Sequence, residues 1–551
     1  MIISTVDKNN MIALRWRDNN SQRVEKEVPY SEAPPYFYVR ADARNIERVS
    51  FRDFGSRVSI NLYYEMDGAK SLEGHPLKKV TWYPPKPGYM RTLRKEWQET
   101  YEADVAYHYR YAVDNISIMP EYNLRKWYWD LEWQQGGEHD GAITCMVFYD
   151  NFLKRNRVLY WLPRTTTPKR NLIGEGFLTE REMLETFVEH LRKEDPDMLI
   201  SWFGSKFDLP KLIERLHANG LDPRKISPYN DVKGVYFDEG IKLSKNVHKY
   251  SPIEQPIRGR LVLNLDLAFE RQWNDAQRGT LPSLALDYVA DLVLGEKKLV
   301  SEKFPDKNEF FSRGWLEDTK HYLDYAAVDV MLLVRIDEEN FTSEAVIALQ
   351  RLLKAPFDAC FYASNMGGIY FMRHATWKAP TGEHGDKVDY QGAMIYDPMT
   401  EGTNGLHLGV AAFDFAGLYP SMMIARNISW ETKSDESTEF GVNILTPRDF
   451  TEETGKEMLY YKTDKLGLLP RAVLELKELR NEYKKKMKAA ESKEDYVKWN
   501  NNQLAVKRLM ASFYGIVAYQ GFGWADIDLA ASITASAREA IRAAAFKVME
   551  I

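Results

Sequence analysis

The sequence predicts a mixed α/β, multidomain protein, and three observations lead there. Its 551 residues are several domains' worth at roughly 100–200 residues each. Residues 1 to about 115 read as strands and turns, after which buried-strand patterns run straight into amphipathic helices. Beyond Pro470, long charged helical patterns follow one another.

Composition narrows the class. Hydrophobic residues make up 44% of the chain, enough for sizeable cores, and no run of ~18 apolar residues exists that would span a membrane. The opening, Met1-Ile-Ile-Ser-Thr-Val-Asp7, lacks the basic region of a secretory signal. Cys145 and Cys360 stand apart without a CxxC pattern, which fits buried thiols in a reducing compartment better than a disulfide framework or a zinc site. A formal net charge of −6 gives no bulk attraction to nucleic acid, so such a function must rest on local basic surfaces.

Taken in order, Ile2–Val6 and Met11–Arg17 flank Asp7-Lys-Asn-Asn10, a hairpin signal, and Pro35-Tyr-Phe-Tyr-Val39 is another strand. Tyr83-Pro-Pro-Lys-Pro-Gly88 punctuates the segment. Trp127-Tyr-Trp-Asp130-Leu-Glu132-Trp133 alternates, so Tyr128, Asp130 and Glu132 share one strand face while Trp129, Leu131 and Trp133 take the other as core. Two carboxylates on one face repel unless a cation sits between them; surface decoration is the plainer alternative. Met198-Leu-Ile-Ser-Trp202 is a buried-strand pattern that leads through Phe203-Gly-Ser-Lys-Phe207 to Asp208 and an amphipathic helix, Leu209–Leu216. Within a helix over Tyr322–Leu333, Tyr325 and Asp329 are four apart and share a face.

From Glu339 to about Gly385 the chain is helical, then loop-like. In Val410-Ala-Ala-Phe-Asp414-Phe-Ala-Gly-Leu-Tyr419-Pro-Ser421, Ala412 and Phe413 read as a buried strand ending at Asp414, and Pro420 opens a helix. A carboxylate leaving a buried strand is costly unless it is paired or holds a metal, which makes Asp414 a ligand candidate; capping the helix is the alternative. Past Leu466-Gly-Leu-Leu-Pro470, Lys477, Arg480, Lys484 and Lys488 form one basic stripe at steps of three and four. Glu475, Glu478 and Glu482 are interspersed, so a salt-bridged solvent face is equally open. A second helix from about Tyr496 puts Gln503, Lys507 and Tyr514 on one face, and Gly515 is expected to end or break it.

These strings carry a resemblance. Asp414-Phe-Ala-Gly-Leu-Tyr-Pro-Ser421, followed by Asn427-Ile-Ser429, resembles the first catalytic motif of family B DNA polymerases. The order Asp130-x-Glu132, Phe207-Asp208, Tyr325-x-x-x-Asp329 resembles the three motifs of their proofreading 3′–5′ exonuclease, which has an RNase H-like fold. The resemblance implies Asp130, Glu132, Asp208 and Asp329 as metal ligands, with Tyr325 orienting a water and Asp414 a ligand in the polymerase site. Four carboxylates suit two Mg²⁺ or Mn²⁺ ions about 3.5–4 Å apart, and two ions are expected per active site. Arg480, Lys484 and Lys507 would grip an incoming triphosphate, Tyr514 would pack near the nascent base pair, and Tyr419 would lie under the sugar. Tyr390-Gln-Gly392-Ala393 is similar to the family's element that touches the template strand, Gly392 permitting close backbone approach to a phosphate. Leu284–Lys298 also resembles the family and is read as structural. Phe203 and Ala511 stand where many relatives have Asn.

The implied organisation is a β-rich N-terminal domain over 1–115 with 340–385 returning to it, and an exonuclease domain over 116–339. A partial α+β palm over 386–468 and 531–551 and helical fingers over 469–530 complete it. The family's third motif, Tyr-x-Asp-Thr-Asp, does not occur; Asp526-Ile-Asp528 precedes the helix it should follow. The expectation is therefore the N-terminal portion of a replicative DNA-directed DNA polymerase, whose synthesis needs a C-terminal fragment or second chain bearing that motif and the thumb. A stand-alone 3′–5′ DNA exonuclease and a non-catalytic primer-template binding module are the alternatives. Expected partners are primer-template and single-stranded DNA, dNTPs, that second fragment and a sliding clamp, with no membrane. The implied location is cytoplasmic, in a prokaryotic nucleoid or a virus-infected host cell.

Overall fold

In the computed structural model of the chain, the alternating tryptophan run forms a strand, Lys126–Trp133, inside a six-stranded mixed sheet. The structure describes all residues except 54, 122, 164–171, 246, 248–249, 276–278, 383–389, 394–407, 413, 444–457 and 551, and the side chains of 275 and 549. Two units result: Met1–Ala33 with Asp114–Phe361, and Pro34–Val113 with Tyr362–Ile551.

In the first unit the sheet runs Glu175–Phe177, Arg155–Trp161, Ile143–Asp150, Lys126–Trp133, Met198–Ser201, Leu261–Asn264. The tryptophan strand pairs antiparallel with Ile143–Asp150 and parallel with Met198–Ser201, whose four residues are all buried. Alternation decides what each face meets. On one face Trp127 stacks on Phe148 at 4.3 Å and Trp129 approaches Phe187 of the Glu180–Glu194 helix. That helix starts at a capping box in which Thr179 and Glu182 satisfy each other's backbone N–H groups. On the opposite face the Tyr128 hydroxyl donates to Asp337 Oδ2 at 2.6 Å, fixing the strand against the Thr319–Asn340 helix. Asp130 and Glu132 look the same way as Tyr128.

Residues 1–33 of the predicted N-terminal region pack in this unit, not with residues 34–113. The predicted hairpin forms as Ile2–Val6 and Met11–Arg17, with Asn10 left-handed at its turn, and Arg23–Pro29 adds a third strand. What ties it in is charge. Arg15 donates to Asp195 Oδ2 at 2.7 Å, Arg17 to Asp197 Oδ2 at 2.5 Å, and Arg23 bonds both carboxylates. Arg260, 1% exposed, adds a contact to Asp195 at 2.8 Å. A sequence reading of neighbouring segments has no means of seeing pairs some 180 positions apart.

The second unit holds a four-stranded antiparallel sheet in the order Tyr36–Arg40, Leu77–Tyr83, Ser56–Glu65, Arg48–Asp53. Phe37, Val39, Ile60, Leu62, Val80 and Trp82 form its core with Leu93 and Trp97. Later chain returns here through 378–382: Glu102 N–H donates to Ala379 O, and Thr381 N–H to Thr100 O. Residues 340–361 stay in the first unit. The Leu468–Lys488 and Lys493–Ala518 helices pack along each other, and Ile527–Met549 follows.

Two expectations are corrected. Residues 410–412 form no strand and are exposed, Val410 at 73%, because no described strand pairs with them and unpaired backbone groups must then face water. The helix does begin at Leu418, on the Pro420 side as expected. Gly515 does not break its helix, which runs on to Ala518: Ile516 and Val517 are wholly buried, and burial outweighs the roughly 1 kcal/mol helix cost of glycine.

Asp197 is wholly buried between Arg17 and Arg23 and accepts the Arg125 N–H at 2.8 Å. Replacing it with Ala leaves buried guanidinium charge unpaired, a loss of about 3–5 kcal/mol. Urea unfolding should show that loss, and hydrogen exchange should show strands 2–29 opening first. An unchanged midpoint would mean the network is stability-neutral.

Candidate active site

The four carboxylates singled out in the first unit come from three local devices. Asp130 and Glu132 ride on one strand face. Asp329 lies one helical turn after Tyr325 in Thr319–Asn340. Asp208 opens the Asp208–Ala218 helix after a tight loop in which Phe203 is left-handed at φ +57°. Gly204 is required there: a Cβ would sit 1.7 Å from Ser201 Oγ and 3.4 Å from Asp208 Oδ2. Ser205 N–H donates to Asn264 Oδ1 at 2.9 Å and Phe203 N–H to Asp266 Oδ1 at 3.1 Å, so the next strand and its extension hold the loop.

These devices bring the acids together. Carboxylate oxygens of Asp130, Glu132 and Asp329 all lie within 4.8 Å of one another. Glu132 is 8% exposed, Asp208 4% and Asp329 1%. Burial, then the neighbouring Asp329, pushes the Asp130 carboxyl up to about 7. Burial and Asp130 raise Glu132 and Asp208 well above the usual carboxylate range. Asp329 is raised by burial, against the pull of Lys298. Asp208 Oδ2 and Asp329 Oδ1 are buried and accept no hydrogen bond among the described residues. Oxygens that are dry, repelled and unpartnered are the donor set a hard divalent cation requires, so the residues fit such an ion.

Lys298 is the residue the sequence reading missed. Its Nζ donates to Asp329 Oδ2 at 2.5 Å and to Tyr325 OH at 3.3 Å. The stretch taken as structural therefore delivers a cation to the cluster. The Leu286–Leu294 helix ends on left-handed Gly295, and Lys298 N–H donates to Asp287 Oδ1 at 2.8 Å, which anchors the turn. A Glu-Lys-Lys string after a helix carries no local sign of this. Tyr325 packs edge-on to Phe310 at 5.3 Å, and burial raises its hydroxyl far above the usual range, so it stays protonated.

In the second unit the predicted nucleotide residues also converge. Tyr390 OH and Tyr514 OH are hydrogen-bonded at 2.8 Å, and the Tyr419 and Tyr514 rings are 4.7 Å apart. Thr534 Oγ1 and Arg538 Nη1 donate to Gln391 O at 2.9 and 2.7 Å, and Arg538 Nη1 also to Gly392 O at 2.6 Å. Arg538 is 1% exposed and was not foreseen as a clamp on this element. Among the described residues, nothing lies within 4 Å of where a Cβ at Gly392 would sit. Arg480 Nε donates to a neutral acceptor, Gln503 Oε1, at 3.1 Å, and burial lowers its pKa. Arg480, with burial, Lys488 and Lys507, lowers Lys484. A cation disfavoured by neighbouring cations is a candidate anion ligand. Off the stripe on the same helix, Lys486 pairs with Glu482 at 2.6 Å. Ala511 is exposed. Asp526 caps the last helix and, with Asp528, bonds Lys433.

Asp414 is placed differently from the other acids. It is exposed, and among the described residues it joins no cluster of carboxylates.

Comparison with known proteins finds two family models matching in order along the chain. The exonuclease-domain model of DNA polymerase family B matches residues 142–274, and the DNA polymerase family B model matches 336–550. A DNA polymerase of Pyrococcus glycovorans is 24% identical over 98% of this chain and 66% of its own length. The DNA polymerase delta catalytic subunit of Plasmodium falciparum is 26% identical over 85% of the chain and 44% of its own. The chain thus spans about two thirds, or less, of the curated relatives it matches. The family B DNA polymerase structure from Pyrobaculum calidifontis has the same fold, with a TM-score of 0.70 at 18% identity over 100% of this chain and 71% of that one. Two models of one family, matched in order along a chain whose acids and cations gather as described, place this chain among the family B DNA polymerases.

Proposed function

We propose that this chain forms the editing and nucleotide-binding part of a replicative DNA-directed DNA polymerase, removing nucleotides from DNA 3′ ends in its first unit. The observation that carries the reading is the gathering of Asp130, Glu132 and Asp329 within 4.8 Å, with buried Asp208 close enough to Asp130 to be raised by it. Two divalent ions, Mg²⁺ or Mn²⁺, held by these four would supply Lewis-acid activation of a water and of the phosphodiester. Tyr325, kept protonated by burial, can direct that water through its hydroxyl. Lys298 holds Asp329 and Tyr325 in place and offers positive charge where a phosphate approaches.

In the second unit, Arg480, Lys484 and Lys507 would bind the triphosphate of a dNTP, with Tyr419 and Tyr514 against the nucleoside and Tyr390 with Gly392 on the template. Residues 386–468 with 531–551 would serve as palm and 469–530 as fingers. Synthesis needs further carboxylates beside Asp414 to fix two ions; these would come from sequence outside the present 551 residues, continuous with them or on a second chain.

A labelled primer-template incubated with Mg²⁺ should shorten, and Asp130→Ala or Asp329→Ala should reduce shortening at least about 100-fold with the fold retained by circular dichroism. Shortening by both variants would sink the assignment. The raised carboxyls also set a pH dependence. Between the unfolded value near 3.8 and about 7 for Asp130 the folded state holds more protons, so metal-free stability falls as pH rises through that window. In EDTA, Tm should drop between pH 5 and 8; Mn²⁺ should restore it more at pH 8 than at pH 6, and less so in Asp130→Asn. For the second unit, Arg480→Ala and Lys484→Ala should each weaken dNTP binding about 10-fold in a fluorescence titration, the size of one lost charge-assisted hydrogen bond. Equal affinity in both variants would remove these cations from the nucleotide site.

A further inference from the structure

The four-stranded sheet of the second unit ends on the Arg48–Asp53 strand, which pairs with Ser56–Glu65 and, among the described residues, with nothing on its other side. The ladder decides which backbone groups face that edge. Leu62 N–H donates to Glu47 O at 3.0 Å, and the register continues without a bulge from Arg48 opposite Asn61 to Asp53 opposite Ser56. Bonded and non-bonded pairs alternate in an antiparallel ladder. Val49 and Phe51 therefore bond inward, and the N–H and C=O groups of Arg48, Ser50 and Arg52 point outward, where no described residue takes them. The same three residues put their side chains on one face, all exposed. Val49, 7% exposed, and Phe51, edge-on to Tyr89 at 5.2 Å, join the core on the other. Arg48 Nε donates to a neutral acceptor, Asn61 Oδ1, at 3.0 Å. Arg52 stands directly opposite Arg57, like charges that repel, and neither forms an ion pair among the described residues. Charged side chains commonly guard an edge strand against pairing. Here the guard has one sign: a second copy laid antiparallel would set arginine against arginine, whereas an acidic strand would be drawn in.

We propose that the Arg48–Asp53 edge takes up an extended acidic segment of a partner protein as a fifth strand of this sheet. Such strand addition draws affinity from main-chain hydrogen bonds and specificity from alternate side chains. The outward groups of Arg48, Ser50 and Arg52 supply the first. For the second, residues directly opposite share a face, so two carboxylates four positions apart meet Arg48 and Arg52, and the apolar residues between them extend the face of Val49 and Phe51. The recognised pattern is acidic, apolar, polar, apolar, acidic. A nucleic acid would meet the arginines and leave the backbone edge unpaired, so the edge selects a peptide.

The probe is a fluorescein-labelled peptide carrying Glu-Val-Thr-Val-Glu, titrated by anisotropy with the full chain in EDTA. Saturable binding is expected, at least about 10-fold weaker in the double variant Arg48→Glu, Arg52→Glu, the size of a lost charge-assisted hydrogen bond. A Lys-Val-Thr-Val-Lys peptide should restore binding to that variant, which shows that its sheet is intact. Ser50→Pro removes one outward N–H and leaves the ladder to Ser56–Glu65 in place; it should weaken binding, as should N-methylation of the peptide backbone. In hydrogen exchange, the amides of Arg48, Ser50 and Arg52 should gain protection when the peptide binds. No saturable binding, equal affinity for the wild type and the double variant, or no added protection at those three amides would each overturn the proposal. Oligothymidylate binding that the double variant loses, with no binding of the peptide, would give the arginines to nucleic acid and overturn it as well.

Discussion

Like charges held together out of water are the constraint on which the first unit is arranged. Two carboxylates 4 Å apart repel by about 4 kcal/mol at an effective dielectric of 20, and several such terms together rival the roughly 5–15 kcal/mol stability of a whole domain. The protein meets this in two ways at once. Lys298 neutralises part of the charge at Asp329, and burial with Asp329 raises the Asp130 carboxyl to about 7, which favours its protonated form. Only a rigid frame can keep the acids from moving apart. That frame is a strand packed on both faces, a helix bonded to it through Tyr128 and Asp337, and a loop fixed by Asn264 and Asp266.

Much of this was legible because it is written at short range. Alternation in Trp127–Trp133 told which side chains share a face, and a four-residue step told that Tyr325 and Asp329 do. Lys298 was not legible, since its role depends on a turn after a helix meeting another helix about 30 residues later. Nor was the docking of residues 1–33, where arginines find aspartates across some 180 residues. The strand expected before Asp414 failed for a different reason. An apolar run becomes a strand only where neighbours take its backbone hydrogen bonds, and Val410–Ala412 meet none among the described strands. Gly515 shows the same lesson in reverse, local propensity yielding to the burial of Ile516 and Val517.

Charge distribution reconciles a chain of net charge −6 with an anionic polymer as proposed substrate. Among the acids in the count are those drawn inward with Asp130, Glu132 and Asp329 and those paired with arginines at Asp195 and Asp197. Along the Leu468–Lys488 helix, by contrast, Arg480 lies close enough to Lys484 to lower its pKa, and Arg480 is bonded to an amide instead of an acid. Fields act locally, and a cation cluster is felt over about 8–10 Å at physiological salt whatever the total.

The two sets of acids then differ in kind. Asp130, Glu132, Asp208 and Asp329 are preorganised: strand, loop and helix of one unit hold them, Asp130 half-buried and the other three buried. Asp414 is solvated, and an ionised carboxylate in water gains nothing from a lone divalent ion unless other ligands share the dehydration of that ion. The tyrosines around Tyr514 and the carbonyls clamped by Arg538 are nonetheless already in place. Preorganisation thus involves acids in the first unit and, among the described residues, tyrosines and clamped carbonyls in the second.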